Sequence, residues 1–262
     1  MSLAPTDYDF GVPANYAFAE NITCSNDEAR RMYVEAFGHM LNYNHEQAIA
    51  CFTKCTELDP NCAMAWWGIA YCVSSNYNWS PGLGPGYDAI QQAVALKDGC
   101  TELEQDLIMA LSTRHSKEAR DNANPAMLNM GNSPELNQAF AEAMAPLYEK
   151  YKGNLDVTAI YVEALMNLNP WTLWNKDAST GEITPVDDST LLLIEVMEDA
   201  FENVPGAKEH PALCHLYCHA LELSPYPERA LPAADVLRTL MPGCGHLVHM
   251  PSHIDAWVGQ WK

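Results

Sequence analysis

Apolar residues recur every three or four positions along almost the whole of this chain, the spacing that turns one face of an α-helix toward a core. Strict alternation of apolar and polar residues, the mark of a half-buried strand, is absent. The periodic segments predict helices over 27–43, 45–57, 61–75, 86–96, 101–114, 134–151, 155–168, 188–203, 208–222, 227–239 and 244–258. Three stretches rich in Gly, Pro, Asn or Asp break the period: 76–86, 121–134 and 169–188. Loops of that length inside a helical array usually carry function or move. Trp79, Trp171 and Trp174 stand in two of them, where they can roof an apolar pocket for a small molecule.

Helices in pairs invite a search for a repeat. The tetratricopeptide (TPR) pattern has a period of about 34 residues: large, apolar, small and large residues at helix A positions 4, 7, 8 and 11, small or aromatic ones at helix B positions 20, 24 and 27, and Pro at 32. With Pro60 at position 32, Met32 takes 4, Ala36 takes 8, Ala48 takes 20, Phe52 takes 24 and Cys55 takes 27. The next repeat opens at Ala63 with Trp66, Ile69, Ala70 and Val73 on the packing stripe. With Pro242 at 32, the same positions fall on Cys214, Tyr217, Cys218, Leu221, Ala230, Ala234 and Leu237. The expected fold is therefore all-α, a right-handed superhelical solenoid of TPR-like antiparallel helix pairs with no sheet. It would cover 27–262 after an extended segment 1–26, with clear repeats at 29–62, 63–96 and 211–244, a partial one at 245–262, and degenerate helix pairs over 101–203.

The same register sorts the histidines. Six of nine lie between His210 and His253. His215 and His219 occupy positions 5 and 9 of one repeat; His249 and His253 occupy 5 and 9 of the next; His246 is at 2 and Glu222 at 12. At about 100° per residue these positions share one helix face, rotated from the packing stripe. In a TPR array that face lines the concave groove. Imidazoles four residues apart on neighbouring helices can converge on one or two ions. The expected metal ligands are His215, His219, His249 and His253, with His246 and Glu222 completing the set or bracing it. Imidazole with carboxylate suits copper, iron or zinc, and spacing alone does not choose between them. A histidine-lined peptide groove, a pH switch and plain packing are the competing readings. His210 falls outside the cluster, His39 and His45 read as structural, and His115 as loop. Cys55, Cys214 and Cys218 sit at packing positions, where Cys acts as a small hydrophobe.

Composition narrows the partners. Fourteen Lys+Arg against 34 Asp+Glu give a net charge of −20, which disfavours nucleic acid and anionic membrane. Nine cysteines without a CxxC motif read as reduced thiols. The start lacks a basic region followed by an apolar one, and no apolar run reaches a membrane span, so a cytoplasmic location is expected.

The segments "NHEQAIACFTKCTELDPNCAMAWWGIAYCVSSNYN" (44–78), "YVEALMNLNPWTLW" (161–174), "HPALCHLYCHALELSPYPERAL" (210–231) and "PGCGHLVHMPSHI" (242–254) together resemble a histidine-rich bacterial family of TPR proteins without a settled activity. The resemblance implies an all-α solenoid. It also draws attention to Glu163, Asn167 and Trp171, with Glu163 either a further groove carboxylate or base, or a salt-bridge partner within the solenoid. The functional expectation is a metal-dependent, oxidative enzyme acting on a small molecule. The alternative is a TPR adaptor that binds a partner peptide; the scarcity of basic residues argues against an acidic one.

Overall fold

The structure is a computed structural model that describes residues 21–78, 84–122 and 133–260. Trp79, most of the 121–134 loop and most of the N-terminal segment lie outside the described residues. The chain is predominantly helical, and it divides into two compact units that meet in sequence between Glu149 and Lys150.

The first unit contains α1 (Asp27–Leu41), α2 (His45–Leu58), α3 (Ala63–Val73), α4 (Gly84–Leu96), α5 (Glu102–Ser112), α6 (Lys117–Asn122) and α7 (Pro134–Lys150, whose last residue belongs to the second unit). Local chemistry sets several starts. The Asn26 side chain accepts hydrogen bonds from the backbone N–H groups of Glu28 and Ala29, and Thr101 with Glu104 forms a reciprocal capping box. Short turns fold α1 on α2 and α2 on α3, and α4 packs on α3. Met32, Ala36, Ala48, Phe52 and Cys55 are all buried at their predicted packing positions. Gly68 lets α3 approach α2, since a Cβ there would lie 2.5 Å from the Phe52 ring.

The register is less faithful in α3. Trp66, Ile69 and Val73 are only half-buried, whereas Trp67 and Tyr71 are buried. The reason is α5, which also packs on α3 and accepts the Trp67 indole N–H on the Leu107 carbonyl at 3.1 Å. Helix α6 was not predicted: six mainly polar residues give too few turns to show a period.

The second unit contains α8 (Leu155–Met166), β1 (Trp174–Lys176), β2 (Ile183–Pro185), α9 (Asp188–Asn203), α10 (Pro211–Leu221), α11 (Leu231–Leu240), α12 (Gly245–His249) and α13 (Pro251–Val258). Two expectations are corrected here. The 169–188 stretch is not all loop, and the fold is not free of sheet: β1 and β2 form an antiparallel ribbon that pairs Trp174 with Pro185 and Lys176 with Ile183. Three residues per strand are too few for alternation to show. Asp177 organises the turn by accepting from the N–H groups of Ser179 and Thr180, and Gly181 supplies a φ of 75°. The predicted helix 244–258 is interrupted at Met250, because Pro251 has no N–H to continue the ladder and starts α13 instead.

Helix α10 contacts α8, α9, α11 and α13, and all eleven of its residues are buried. Cys214, Tyr217, Cys218, Leu221, Ala230, Ala234 and Leu237 all lie in the core at the positions the register gave them. All nine cysteines are free thiols. Among the described residues, no helix is long and apolar enough to cross a membrane.

Candidate metal centre

Helix α10 positions the first half of the site. His210 caps its start, with Nδ1 accepting from the Leu213 N–H at 3.3 Å and Nε2 facing Asp156 Oδ1 at 3.4 Å. This structural duty keeps His210 out of the cluster. One turn into the helix, His215 and His219 stand on one face with ring centroids 4.9 Å apart. Glu222 ends the helix as its C-cap.

The second half comes from α12 and α13. His246 and His249 lie on α12 and His253 on α13, and helical rotation continues through Met250 closely enough to keep the three together. His246 Nε2 is 3.0 Å from His215 Nε2, and His253 Nε2 is 2.8 Å from His249 Nε2. Arg238 on α11 anchors α13 through a two-pronged ion pair with Asp255, at 2.7 and 3.0 Å. That clamp sets the rotation of the helix that carries His253.

Glu222 ties the halves. Its Oε1 lies 2.8 Å from His219 Nδ1 and its Oε2 lies 2.5 Å from His253 Nδ1. An ionised carboxylate only accepts, so both Nδ1 atoms carry hydrogen. In the neutral rings of His219 and His253 the lone pair is therefore on Nε2, the nitrogen able to take a ligand. A carboxylate behind a ligating imidazole fixes its tautomer and orientation and raises its basicity.

The electrostatics follow from burial. Burial alone would raise the Glu222 carboxyl, but the bonds from His219 and His253 overcome it and hold the group at about 2. His215 is pushed well below the ordinary imidazole value, first by burial and then by the neighbouring His219, His246 and His253. Burial also lowers His219, against the pull of Glu222. The bond to Glu222 raises His253 despite burial. Buried neutral imidazoles are what a cation needs, because a protonated ring cannot ligate.

The donor set can hold a metal ion. Ligating nitrogens of His215, His219 and His246 lie within 4.8 Å of one another, and donor atoms of His219, Glu222 and His253 do the same. Metal–nitrogen bonds of about 2.0–2.1 Å put adjacent donors about 2.9 Å apart at right angles and about 3.3 Å apart in a tetrahedron. The 3.0 and 2.8 Å Nε2 pairs are of that size. His215 and His219 are 1% exposed, His246 and His253 are intermediate, and His249 is open to solvent, so the cluster runs from core to surface. The stripe expected to line an open groove is thus covered along α10.

The remaining candidates are placed as follows. Trp171 rests edge-on to the His219 ring with centroids 6.0 Å apart, half-exposed and held at a φ of 61°. Trp174 folds back, donating its indole N–H to the Ala220 carbonyl at 2.7 Å and meeting Tyr226 edge to face. Glu163 and Asn167 are buried on and just after α8, and neither ligand grouping includes Glu163. His45 and His115 are buried in the first unit. His115 is in a connecting segment, as expected, but its Nε2 meets Ser74 Oγ at 3.1 Å in the interior. A cleft of about 560 Å³ lies on the other flank of α10, between Cys214, Tyr217, Phe201 and Arg229. Neither tryptophan lines it.

A third grouping went unremarked in the sequence: Glu35, His39 and Cys51, all buried between α1 and α2. The signal was available, since the register puts Glu35 and His39 at positions 7 and 11 of a packing stripe, where apolar residues belong.

Comparison with protein-family models, curated proteins and solved structures gives no match for this chain.

Proposed function

We propose that this protein is a transition-metal-binding protein of TPR-like helix pairs, whose site is built from His215, His219, His246, His249 and His253 with Glu222 as brace. The observation that carries the reading is the pair of hydrogen bonds that Glu222 accepts from the Nδ1–H groups of His219 and His253, which puts the lone pair of each neutral ring on Nε2, where a metal can take it. A TPR-like superhelix is supported by the repeat positions that are buried in α1, α2, α10 and α11.

Copper, iron or zinc suits an imidazole-rich set. Bound there, such an ion would supply Lewis-acid or redox chemistry. The chain's own part is to keep the inner imidazoles neutral and dry and to leave the His249 side open. Trp171 gives a small molecule an aromatic edge beside His219. On these grounds an oxidative enzyme acting on a small molecule is the preferred activity. The adaptor reading has less support, because His215 and His219 are too buried to be read by a peptide.

Elemental analysis of protein purified without a histidine tag tests the proposal. The expected result is at least one equivalent of copper, iron or zinc after exposure to those ions and gel filtration. Protein that stays metal-free under those conditions ends the metal reading.

A further inference from the structure

The first unit holds a second set of metal-ligating side chains, of different chemistry from the histidine cluster. Glu35 and His39 lie one turn apart on α1, and Cys51 faces them from α2. Glu35 and His39 are 6% exposed and Cys51 is fully buried. One ligand atom from each lies within 4.8 Å of the other two, and Cys51 Sγ is 3.8 Å from Glu35 Oε1.

Two neighbours are placed to orient these groups. Burial and the Glu35 charge push the Cys51 thiol up to about 12 and it faces Glu35 as a donor, while the Gln47 amide, 3.8 Å from the sulfur, pulls the other way; a cation is what would turn it to thiolate. The Asn44 amide lies 3.2 Å from His39 Nδ1. The nitrogen of that amide faces the ring and donates, so Nδ1 accepts and Nε2 carries the hydrogen; a metal at Nε2 moves that hydrogen to Nδ1 and turns the amide so that its oxygen accepts it.

The positions are informative in themselves. Glu35 and His39 stand where the repeat calls for apolar packing residues, and the buried carboxylate and imidazole displace apolar contacts. Polar groups in such a place are kept when they are mutually satisfied or when they coordinate an ion.

We propose that Glu35, His39 and Cys51 form a buried zinc site that staples α1 to α2, separate from the histidine cluster of the second unit. One thiolate, one imidazole and one carboxylate make a three-ligand set for tetrahedral Zn²⁺, leaving the fourth position to water or another donor. Binding converts the Cys51 thiol to thiolate and releases its proton to solvent. The ion cross-links two helices that are adjacent in sequence, so it stabilises the first helix pair.

Cobalt(II), a spectroscopic stand-in for zinc, separates this site from the other. Neither ligand grouping of the histidine cluster contains a thiol, so cobalt there gives no sulfur-to-cobalt charge-transfer band. The full-length wild-type protein titrated with cobalt chloride should show that near-ultraviolet band. It should persist in His249→Ala, disappear in Cys51→Ser, and be competed away by zinc. A wild-type protein saturated with cobalt but without the band overturns the proposal, as does a band that survives Cys51→Ser. If circular dichroism shows that Cys51→Ser does not fold, Glu35→Gln takes its place. It should weaken the cobalt binding read from the band by about tenfold or more, and unchanged binding overturns the proposal. Metal bound without a sulfur band leaves the histidine cluster standing alone, so failure of one site is distinguishable from failure of the other.

Discussion

Glu222 governs where the hydrogens lie in the histidine cluster, and it does so with only two oxygens. Glu222→Gln keeps the shape but offers one acceptor and one donor, so one of the two Nδ1–H groups loses its partner. The expected outcome is metal binding weakened by about 10–100-fold, with a stability loss of about 1–3 kcal/mol. Calorimetric titration and urea unfolding measure the two effects. His249→Ala is the cleaner probe, because that ring is exposed. It should weaken metal binding while leaving the unfolding midpoint of the metal-free protein unchanged. Alanine at both His219 and His253 would be less informative, since it strands the Glu222 carboxylate at 6% exposure without either bond. The six residues of the cluster were legible in the sequence because helical spacing places them on common helix faces in two segments that pack together. The bracing of His253 by a carboxylate 31 positions away was not, because it depends on how α13 is rotated after Pro251. The Glu35, His39 and Cys51 grouping was missed for a different reason: Glu35 and His39 fall at packing positions of the register, where His39 reads as structural, and Cys51 reaches them only through the way α2 packs on α1.

At the scale of elements, α10 carries two functions on opposite flanks. Cys214 and Cys218 pack in the core while His215 and His219 face the cluster. Replacing both cysteines with Ala should cost about 1–3 kcal/mol by lost packing. Metal stoichiometry by mass spectrometry should be unaffected, and loss of metal together with intact stability would contradict the division of labour. The close contact of α2 and α3 makes a similar test. Gly68→Ala pushes a methyl to within 2.5 Å of the Phe52 ring, and overpacking of this kind costs about 1–3 kcal/mol, seen as a lower thermal midpoint. Most helices were legible to within a few residues because each is long enough to show its period. The ribbon, α6 and the break at Met250 were not: two are shorter than the window over which a period shows, and the third depends on a proline whose neighbours remain apolar on both sides. The half-exposure of Trp66 shows the limit of a repeat register, which assigns a packing face but not which later helix will cover the other one.

At the scale of the whole molecule, two interior histidines give the first unit a pH response that does not depend on metal. His45 and His115 are interior residues of the first unit. Burial lowers His45 to about 4 against backbone hydrogen bonds at Cys72 and Met40, and burial with the adjacent Arg114 charge lowers His115 to about 3. In the unfolded chain both titrate near 6.5. Between those values the unfolded state holds more protons than the folded one, so stability rises with pH through this window. The contribution is complete above about pH 6.5 and is lost as pH falls, at about 1.4 kcal/mol per pH unit for each histidine. Hydrogen-exchange protection factors, corrected for intrinsic rates at each pH, should therefore fall in α2, α3 and α5 between pH 7 and pH 5. His115→Asn should lower stability at pH 7 yet flatten the slope by one histidine's share, since Asn does not titrate. A slope unchanged by that substitution would mean His115 is not the group responsible. Metal added at pH 7 should raise protection in α10, α12 and α13, because an ion that binds only the folded site stabilises it by mass action, about 2.7 kcal/mol at a hundredfold excess over its dissociation constant. The wild-type protein's first unit should respond to zinc as well, through Glu35, His39 and Cys51, whereas Cys51→Ser should respond in the second unit alone.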